Sequence, residues 1–355
     1  MKTIQEPDWE NAVIPHGLQE LSPWAARLCL AVERFARQLL KDAPQKGPLL
    51  IALSGGPDSM ALIMLMNLLA GRLGFTLAAA HLDHGLRPES IEDVRFCKNF
   101  CRRLDIPFHL AAVDVGKLAH ETHTGIEDAG RKARYAWFTQ VSEEISACAV
   151  ATGHQLDDLA ADQLMRLMRG AGWPALGGMP AWDPSRRLVR PLLMTPKADL
   201  IRFLQELRIP WREDASNAQK RFTRNRVRLD ILPLFLKENP GYLETCAELW
   251  RQAAMDREHW EQCAVEAETA APDPADPGFL PNAMLHASSA ALRLRLYKRA
   301  VEALGPGQPL SGALRRLDQA WQTRAVGKRL QFPGGKTAEV THGGIQFHGV
   351  DTLEG

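Results

Sequence analysis

The chain has 355 residues, 45% hydrophobic and 24% charged, with a formal net charge of +1. That length suits two or three domains, each able to bury a core, and the composition excludes disordered and fibrous classes. No apolar run approaches the ~20 residues of a bilayer span, and residues 1–8 are polar and acidic with no signal-peptide core, so a cytoplasmic protein with no membrane partner is expected.

In chain order, Ser22 reads as an N-cap with Pro23 at the first helical position, and Trp24, Leu28, Val32, Phe35 and Leu39 then recur at helical spacing. Residues 44–47 end that helix and close an N-terminal extension over 1–46. Residues 49–53 form a short apolar run bounded by turn residues, which predicts a buried parallel strand. The pattern repeats: helix over 60–69, strand over 75–80, helix over 88–104, strand over 108–113, helix over 127–145, strand over 148–151. This alternation predicts an α/β fold with a doubly wound, mostly parallel sheet, whose ligands bind beyond the C-terminal strand ends. A further helix over 155–169 stops at Gly170-Ala171-Gly172. A Gly/Pro-rich loop follows, and Thr195-Pro196 opens another helix. The sheet domain is expected over 47–218, a mainly helical domain over 219–325, and a short β-rich tail over 326–355. A proline-rich linker over 272–277 interrupts the helical part.

The hexapeptide Ser54-Gly55-Gly56-Pro57-Asp58-Ser59 joins the first strand to the next helix. Two glycines let the backbone turn tightly and approach an anion closely. The hydroxyls of Ser54 and Ser59, with the amides of a helix N-terminus, are the donors a phosphate needs. The loop is not a Walker A sequence, because the lysine of that motif is missing. Asp58 would repel a bare phosphate unless Mg²⁺ lies between them. An ordinary Gly-rich turn is the bland alternative, and the whole hexapeptide in this position argues against it.

Residues 164–228 hold fourteen Lys and Arg against five Asp and Glu, a local charge of +9 in a near-neutral chain. That is a candidate phosphate-tracking surface, or a solvated face with dispersed charges. Within it, Arg221, Arg224, Arg226 and Arg228 are candidate contacts to nucleic-acid phosphates, and Trp211 and Phe222 are candidate base-stacking groups. The alternative is that Phe222 and Val227 are core and the arginines pair with Glu213 and Asp214. Arg224 and Arg228 are also candidates for tying two domains together. The His81-Leu82-Asp83-His84 cluster has no third ligand group at matching spacing, so zinc is not expected. His120 and His123 read as surface residues. Six scattered cysteines without a CxxC read as free thiols.

The hexapeptide after the first strand resembles the PP-loop ATP pyrophosphatase family, an adenine-nucleotide α-hydrolase-like fold. Other segments resemble, within it, the tRNA(Ile)-lysidine synthetase family. They are His81-Leu82-Asp83-His84-Gly85-Leu86-Arg87, Gly153-His154-Gln155-Leu156-Asp157-Asp158, the segment from Ile126 to Tyr135, Arg190-Pro191-Leu192-Leu193, and the strings from Trp211 to Asn217 and from Phe222 to Pro233. The resemblance implies that ATP adenylates the C2 oxygen of the wobble cytidine in the CAU anticodon of tRNA(Ile), and that the ε-amine of free lysine displaces AMP. It implies that Ser54, Gly55, Gly56, Pro57, Asp58, Ser59 and His81 bind ATP, with Asp58 helping to hold Mg²⁺. It places Asp58, Arg131, His154 and Asp158 at the reacting centre. The chain departs from the family where a glutamate usually follows Asp158 by three residues: Ala161 stands there. Asp162 lies one turn from Asp158 on the same helical face, so Asp157, Asp158 and Asp162 are candidate lysine or Mg²⁺ ligands; alternatively Asp162 pairs with Arg166. A PP-loop tRNA thiolase and a decayed tRNA-binding protein are the rival readings. The oligomeric state is open, a homodimer included.

Overall fold

The computed structural model describes residues 9, 11–41, 43, 47–85, 90–212, 223–270 and 278–349. Leu86, Arg87, the segment 213–222 with Arg221 and Phe222, and the linker 271–277 lie outside the described residues. Two compact units are present: the first takes residues 1–171 and 178–250, the second residues 172–177 and 251–355. Residues 223–250, which the pattern of helical periodicity groups with the C-terminal part, thus belong to the first unit.

In the first unit, helix α1 (Pro23–Leu40) opens as the sequence predicts, with Ser22 Oγ accepting the Ala25 N–H. Next come β1 (Leu49–Ala52), α2 (Pro57–Leu73), β2 (Leu77–Asp83), α3 (Ser90–Arg103) and β3 (Phe108–Ala112). After these lie α4 (Val115–Glu121), α5 (Ile126–Glu144), β4 (Ala149–Ala151) and α6 (Leu156–Met168). Two-residue strands β5 (Trp182–Asp183) and β6 (Leu188–Val189) precede α7 (Lys197–Glu206). The sheet runs β3-β2-β1-β4-β6-β5. All pairings are parallel except that of edge strand β5 with β6.

The apolar run of β1 is explained by burial on both faces. Leu49 and Ile51 join a core with α1, α2, α3 and α7, while Leu50 points the other way to Phe138 and Val141 of α5 and to Val150. Helix α2 is apolar nearly all round because it is enclosed: Met60 to Met66 are each at most 1% exposed. The unit continues with a short helix α8 (Thr223–Arg226), a π-helical turn over Val227–Ile231, α9 (Leu232–Glu238) and the start of the 28-residue α10 (Tyr242–Thr269).

The second unit contains α11 (Asn282–Ala287), α12 (Ala290–Ala303) and α13 (Ser311–Gln322), packed with an antiparallel sheet ordered β7-β10-β9-β8. Strand β7 is Phe279–Pro281; β8 (Arg329–Phe332), β9 (Lys336–Val340) and β10 (Gly344–His348) are the strands expected near the C-terminus. Lys336 is 1% exposed, and its ammonium donates to the carbonyls of Val301, Gly305 and Gly307 at 2.8–2.9 Å. Asp318 accepts two bonds from Arg293, one from the Tyr297 hydroxyl and one from Gln322. Among the described residues, no helix is long and apolar enough to cross a membrane. All six cysteines are free thiols and five are buried.

Candidate active site

The loops following β1, β2, β4 and β6 leave the C-terminal edge of the parallel sheet together. The β1 loop is closed on itself. Ser59 Oγ donates to the Gly56 carbonyl at 3.0 Å and accepts the Ser54 N–H at 3.2 Å, and the two hydroxyls lie 3.1 Å apart. Pro57 occupies the first turn of α2, where its missing N–H costs nothing. Gly55 has φ +84°, in the left-handed region that glycine adopts without strain. A second segment clamps the loop from above: Arg212 N–H donates to the Gly55 carbonyl at 2.9 Å, and its guanidinium holds Asp93 and Glu92 at 2.7 and 3.2 Å. Trp211 is partly buried and packs against the core.

Gly153, after β4, touches the loop from the other side. A Cβ there would sit 3.0 Å from the Asp58 carbonyl group and 3.1 Å from Ser59 N, both backbone, which cannot swing aside. Gly153→Ala is expected to push the loop by a few tenths of an ångström and weaken ATP binding about tenfold, because positioning errors of this size are costly. Titration calorimetry with ATP checks this; unchanged affinity would show that the loop is compliant.

Asp58 lies in the first turn of α2. Its Oδ2 is 3.7 Å from Lys197 Nζ, and its Oδ1 is buried with no hydrogen-bond partner. Burial raises its pKa to about 6, the negative charges of Asp158 and Asp157 adding to the rise and Lys197 and Arg228 opposing it. An orphaned carboxylate oxygen beside a phosphate-type loop fits a divalent ion whose other ligands come from ATP and water. Among the described residues no group of three His, Cys, Asp or Glu gathers as a protein-only metal site.

The adjacent aspartates at the start of α6 divide their work. Asp157 Oδ2 accepts the Lys197 N–H at 2.9 Å, fixing the start of α7 against α6. Asp158 completes a capping box with Gln155. Its Oδ1 takes Arg224 at 3.1 Å and Arg228 at 3.6 Å. Burial would raise the Asp158 pKa, but Arg224, His154, Arg228 and the Gln155 amide together hold it below the ordinary carboxylate value. Arg224 of α8 and Arg228 of the π-helical turn, four residues apart, therefore meet one carboxylate within the first unit. Because residues 178–250 lie in the first unit, the two arginines join segments of one unit and do not tie two domains together, while the alternative pairing with Glu213 and Asp214 falls on residues outside the described ones. Arg226 is exposed, and its guanidinium donates to the Thr223 hydroxyl at 3.1 Å.

His154 is half-buried, with Nδ1 2.8 Å from Thr152 Oγ1. Desolvation pushes its pKa down to about 3, Asp158 pulls it up, and the cations of Arg224, Arg190 and Arg131 push it down further. The lowered pKa makes His154 a neutral imidazole at pH 7, within the electrostatic reach of these three guanidiniums. Arg131 is exposed on α5, 5.2 Å from the Tyr135 ring. Arg190 is 5% exposed, donates to the Pro180 carbonyl at 2.6 Å, and has a buried Nε without a partner. His81 is buried, its Nδ1 2.8 Å from the Leu53 carbonyl, and burial lowers its pKa. Asp83 accepts the Gly85 amide and the Ser90 hydroxyl, holding the turn after β2. His120 and His123 are exposed.

Ala161 is fully buried in an apolar cluster with Val227, Leu232 and Cys246. Asp162 Oδ2 is paired with Arg166 Nε at 2.7 Å, the ion pair weighed as the alternative to a ligand role. Two residues of the site carry no role in the sequence reading, Lys197 and Arg190. The Arg-Pro-Leu-Leu segment was a signal for the second. Nothing local marks the first, since its partner Asp58 lies 139 positions away.

Residues 29–235 match the family model described as a PP-loop domain. The chain is 44% identical over 321 residues to a tRNA(Ile)-lysidine synthase from Nitratidesulfovibrio vulgaris, covering 86% of this chain and 92% of that one. It is 34% identical to the tRNA(Ile)-lysidine synthase of Thermus thermophilus, covering 89% of this chain and 59% of that one. For the Clostridium acetobutylicum tRNA(Ile)-lysidine synthase the identity is 33%, covering 62% and 48%. Among solved structures, a U34-tRNA thiolase from Methanococcus maripaludis superposes with a TM-score of 0.53 at 20% identity, over 64% of this chain and 78% of that one. That likeness is one of fold.

Proposed function

The chain belongs to the tRNA(Ile)-lysidine synthase family, and from that premise we propose how its residues divide the two steps of ATP-dependent wobble-cytidine modification in the cytoplasm. In the first, the C2 oxygen of the cytidine attacks the α-phosphorus of ATP, and the bond to the β-phosphate oxygen breaks to release pyrophosphate. In the second, the ε-amine of free lysine, freed when its ammonium gives a proton to water, attacks C2, and the C2–O bond breaks to release AMP. The observation that carries this reading is the meeting, at one sheet edge, of a self-closed Ser/Gly loop, the orphaned carboxylate oxygen of Asp58 and the Asp158 carboxylate held by Arg224 and Arg228.

The loop from Ser54 to Ser59 binds the phosphates through its hydroxyls and the N-terminal amides of α2. Arg131 and Arg190 stabilise negative charge growing on the α-phosphate oxygens; the partnerless Nε of Arg190 is a donor available to it. His154, neutral at pH 7, holds a hydrogen bond to the substrate without adding charge. Asp58, with its orphaned oxygen, would hold Mg²⁺. When bound, that ion offsets the charge of the triphosphate. Asp158, kept ionised by Arg224 and Arg228, anchors the incoming lysine ammonium and orients it. As a proton acceptor it is weak, because its pKa is low. The exposed Arg226, with Arg221, contacts tRNA phosphates.

The test is one incubation of the protein with CAU-bearing tRNA(Ile) transcript, ATP, Mg²⁺ and radiolabelled lysine. Label in acid-precipitable RNA that depends on ATP and disappears in Asp58→Ala is expected. AMP release without label would instead mean adenylation with another nucleophile, and the lysine half of the reading would fall.

A further inference from the structure

The loop from Ser54 to Ser59 carries two hydroxyls and a carboxylate but no cation. Breaking the bond between α- and β-phosphates gathers negative charge on the departing pyrophosphate, and a fixed cation beside it lowers the barrier. The arginines nearby have other tasks: Arg224 and Arg228 meet Asp158, Arg212 is paired with Asp93 and Glu92, and Arg190 is assigned above to the α-phosphate. Among the described residues, the ammonium of Lys197 is paired with a carboxylate of the loop itself, 3.7 Å from Asp58 Oδ2.

Its placement is built rather than incidental. Lys197 is the first residue of α7, its N–H held by Asp157 Oδ2 at 2.9 Å, and Leu156 N–H donates to the Thr195 carbonyl at 3.0 Å. The first turns of α6 and α7 are thereby locked together. Leu200, Phe203 and Leu204 of α7 share the core of α2, so the base of the lysine stem is fixed relative to the loop. The side chain keeps 31% of its surface exposed, which leaves the ammonium reachable.

We propose that Lys197 supplies, from α7, the phosphate-binding cation that the loop lacks: Asp58 holds its ammonium in the ATP-free protein, and with ATP bound it contacts the β- and γ-phosphates that depart as pyrophosphate. The ammonium keeps its proton throughout and serves as a point charge. Asp157 is then a positioning residue acting through the α7 backbone. The inference rests on the ATP-using reading above.

The experiment compares wild type, Lys197→Met and Lys197→Arg by titration calorimetry with ATP, pyrophosphate and AMP, each with Mg²⁺, alongside thermal melts. Lys197→Met is expected to weaken ATP and pyrophosphate by at least about tenfold and to leave AMP within about twofold, since AMP lacks the phosphates contacted. Lys197→Arg is expected to recover most of the loss. Unchanged ATP affinity, or equal weakening of ATP and AMP, would overturn the assignment; the second pattern is what simple loop distortion gives. A wild-type protein that binds neither ATP nor AMP would sink the nucleotide reading itself, a result distinct from either.

Discussion

Asp158→Asn is expected to lower the rate of lysidine formation by about a hundredfold or more, and to destabilise the protein by about 2 kcal/mol. The carboxylate is the meeting point of three elements: the α6 N-terminus through the Gln155 amide, α8 through Arg224, and the π-helical turn through Arg228. Removing one member of a fully buried ion pair costs about 3–5 kcal/mol. Here Arg224 and Arg228 keep 30% and 25% of their side-chain surface, so water screens the orphaned guanidiniums and the lower figure follows. Asparagine preserves shape and can still cap the helix, so the activity loss tracks the lost charge. Because the Asp158 pKa is already low, the effect is the same from pH 6 to 8, and in the wild type this stabilisation disappears only under acid, as pH falls below the ordinary carboxylate value. Urea denaturation at three pH values and single-turnover labelling check both halves. A variant of near-normal rate would remove Asp158 from the lysine step.

The second large effect has two signs. Asp58→Asn is expected to reduce ATP-dependent activity by about a thousandfold and yet stabilise the ATP-free protein by about 1–3 kcal/mol at pH 8. Burial and two neighbouring aspartates raise the Asp58 pKa from 3.8 to about 6, and each unit is worth about 1.36 kcal/mol. A raised carboxylate favours folding in its protonated form. That contribution is complete below pH 3.8 and is lost as pH rises through about 6, so at pH 8 the ionised group is a burden. His154 acts oppositely: its pKa of about 3 means folding is opposed as pH falls from 6.5. The diagnostic quantity is therefore the difference between variant and wild type, which should shrink between pH 7 and 4. A constant difference would show that Asp58 does not titrate in this range. Such a residue is retained for activity against a cost in stability, as strained functional sites often are.

Much of this was legible in the sequence, for physical reasons that differ by element. Leu49, Leu50 and Ile51 announced a strand buried on both faces, and the loop after them announced its ligand through residues adjacent in the chain. Helix α4 escaped because it has only seven residues, although Asp114, which caps it through the Lys117 N–H at 3.0 Å, was a readable start signal. Strands β5, β6 and β7 escaped because two or three residues carry no period. The partners of Asp158 were out of reach for another reason. Arg224 lies 66 positions downstream, and only the fold decides whether it meets Asp158 or the nearer Glu213 and Asp214. Ala161 posed the same difficulty: its burial against Val227 and Cys246 shows a core position, which no spacing rule could tell from a vacated ligand position.

The ammonium of Lys336, closed in by three carbonyls, makes a built-in reporter of the second unit. An amine-reactive reagent reaches a lysine only when the nitrogen is exposed, so this side chain should stay unlabelled while its unit is folded. The buried thiols Cys29, Cys97, Cys101, Cys148 and Cys246 all belong to the first unit and are guarded in the same way. Two reagents of different chemistry, followed by mass spectrometry along a denaturant series, would thus read the opening of each unit separately in one unmodified chain.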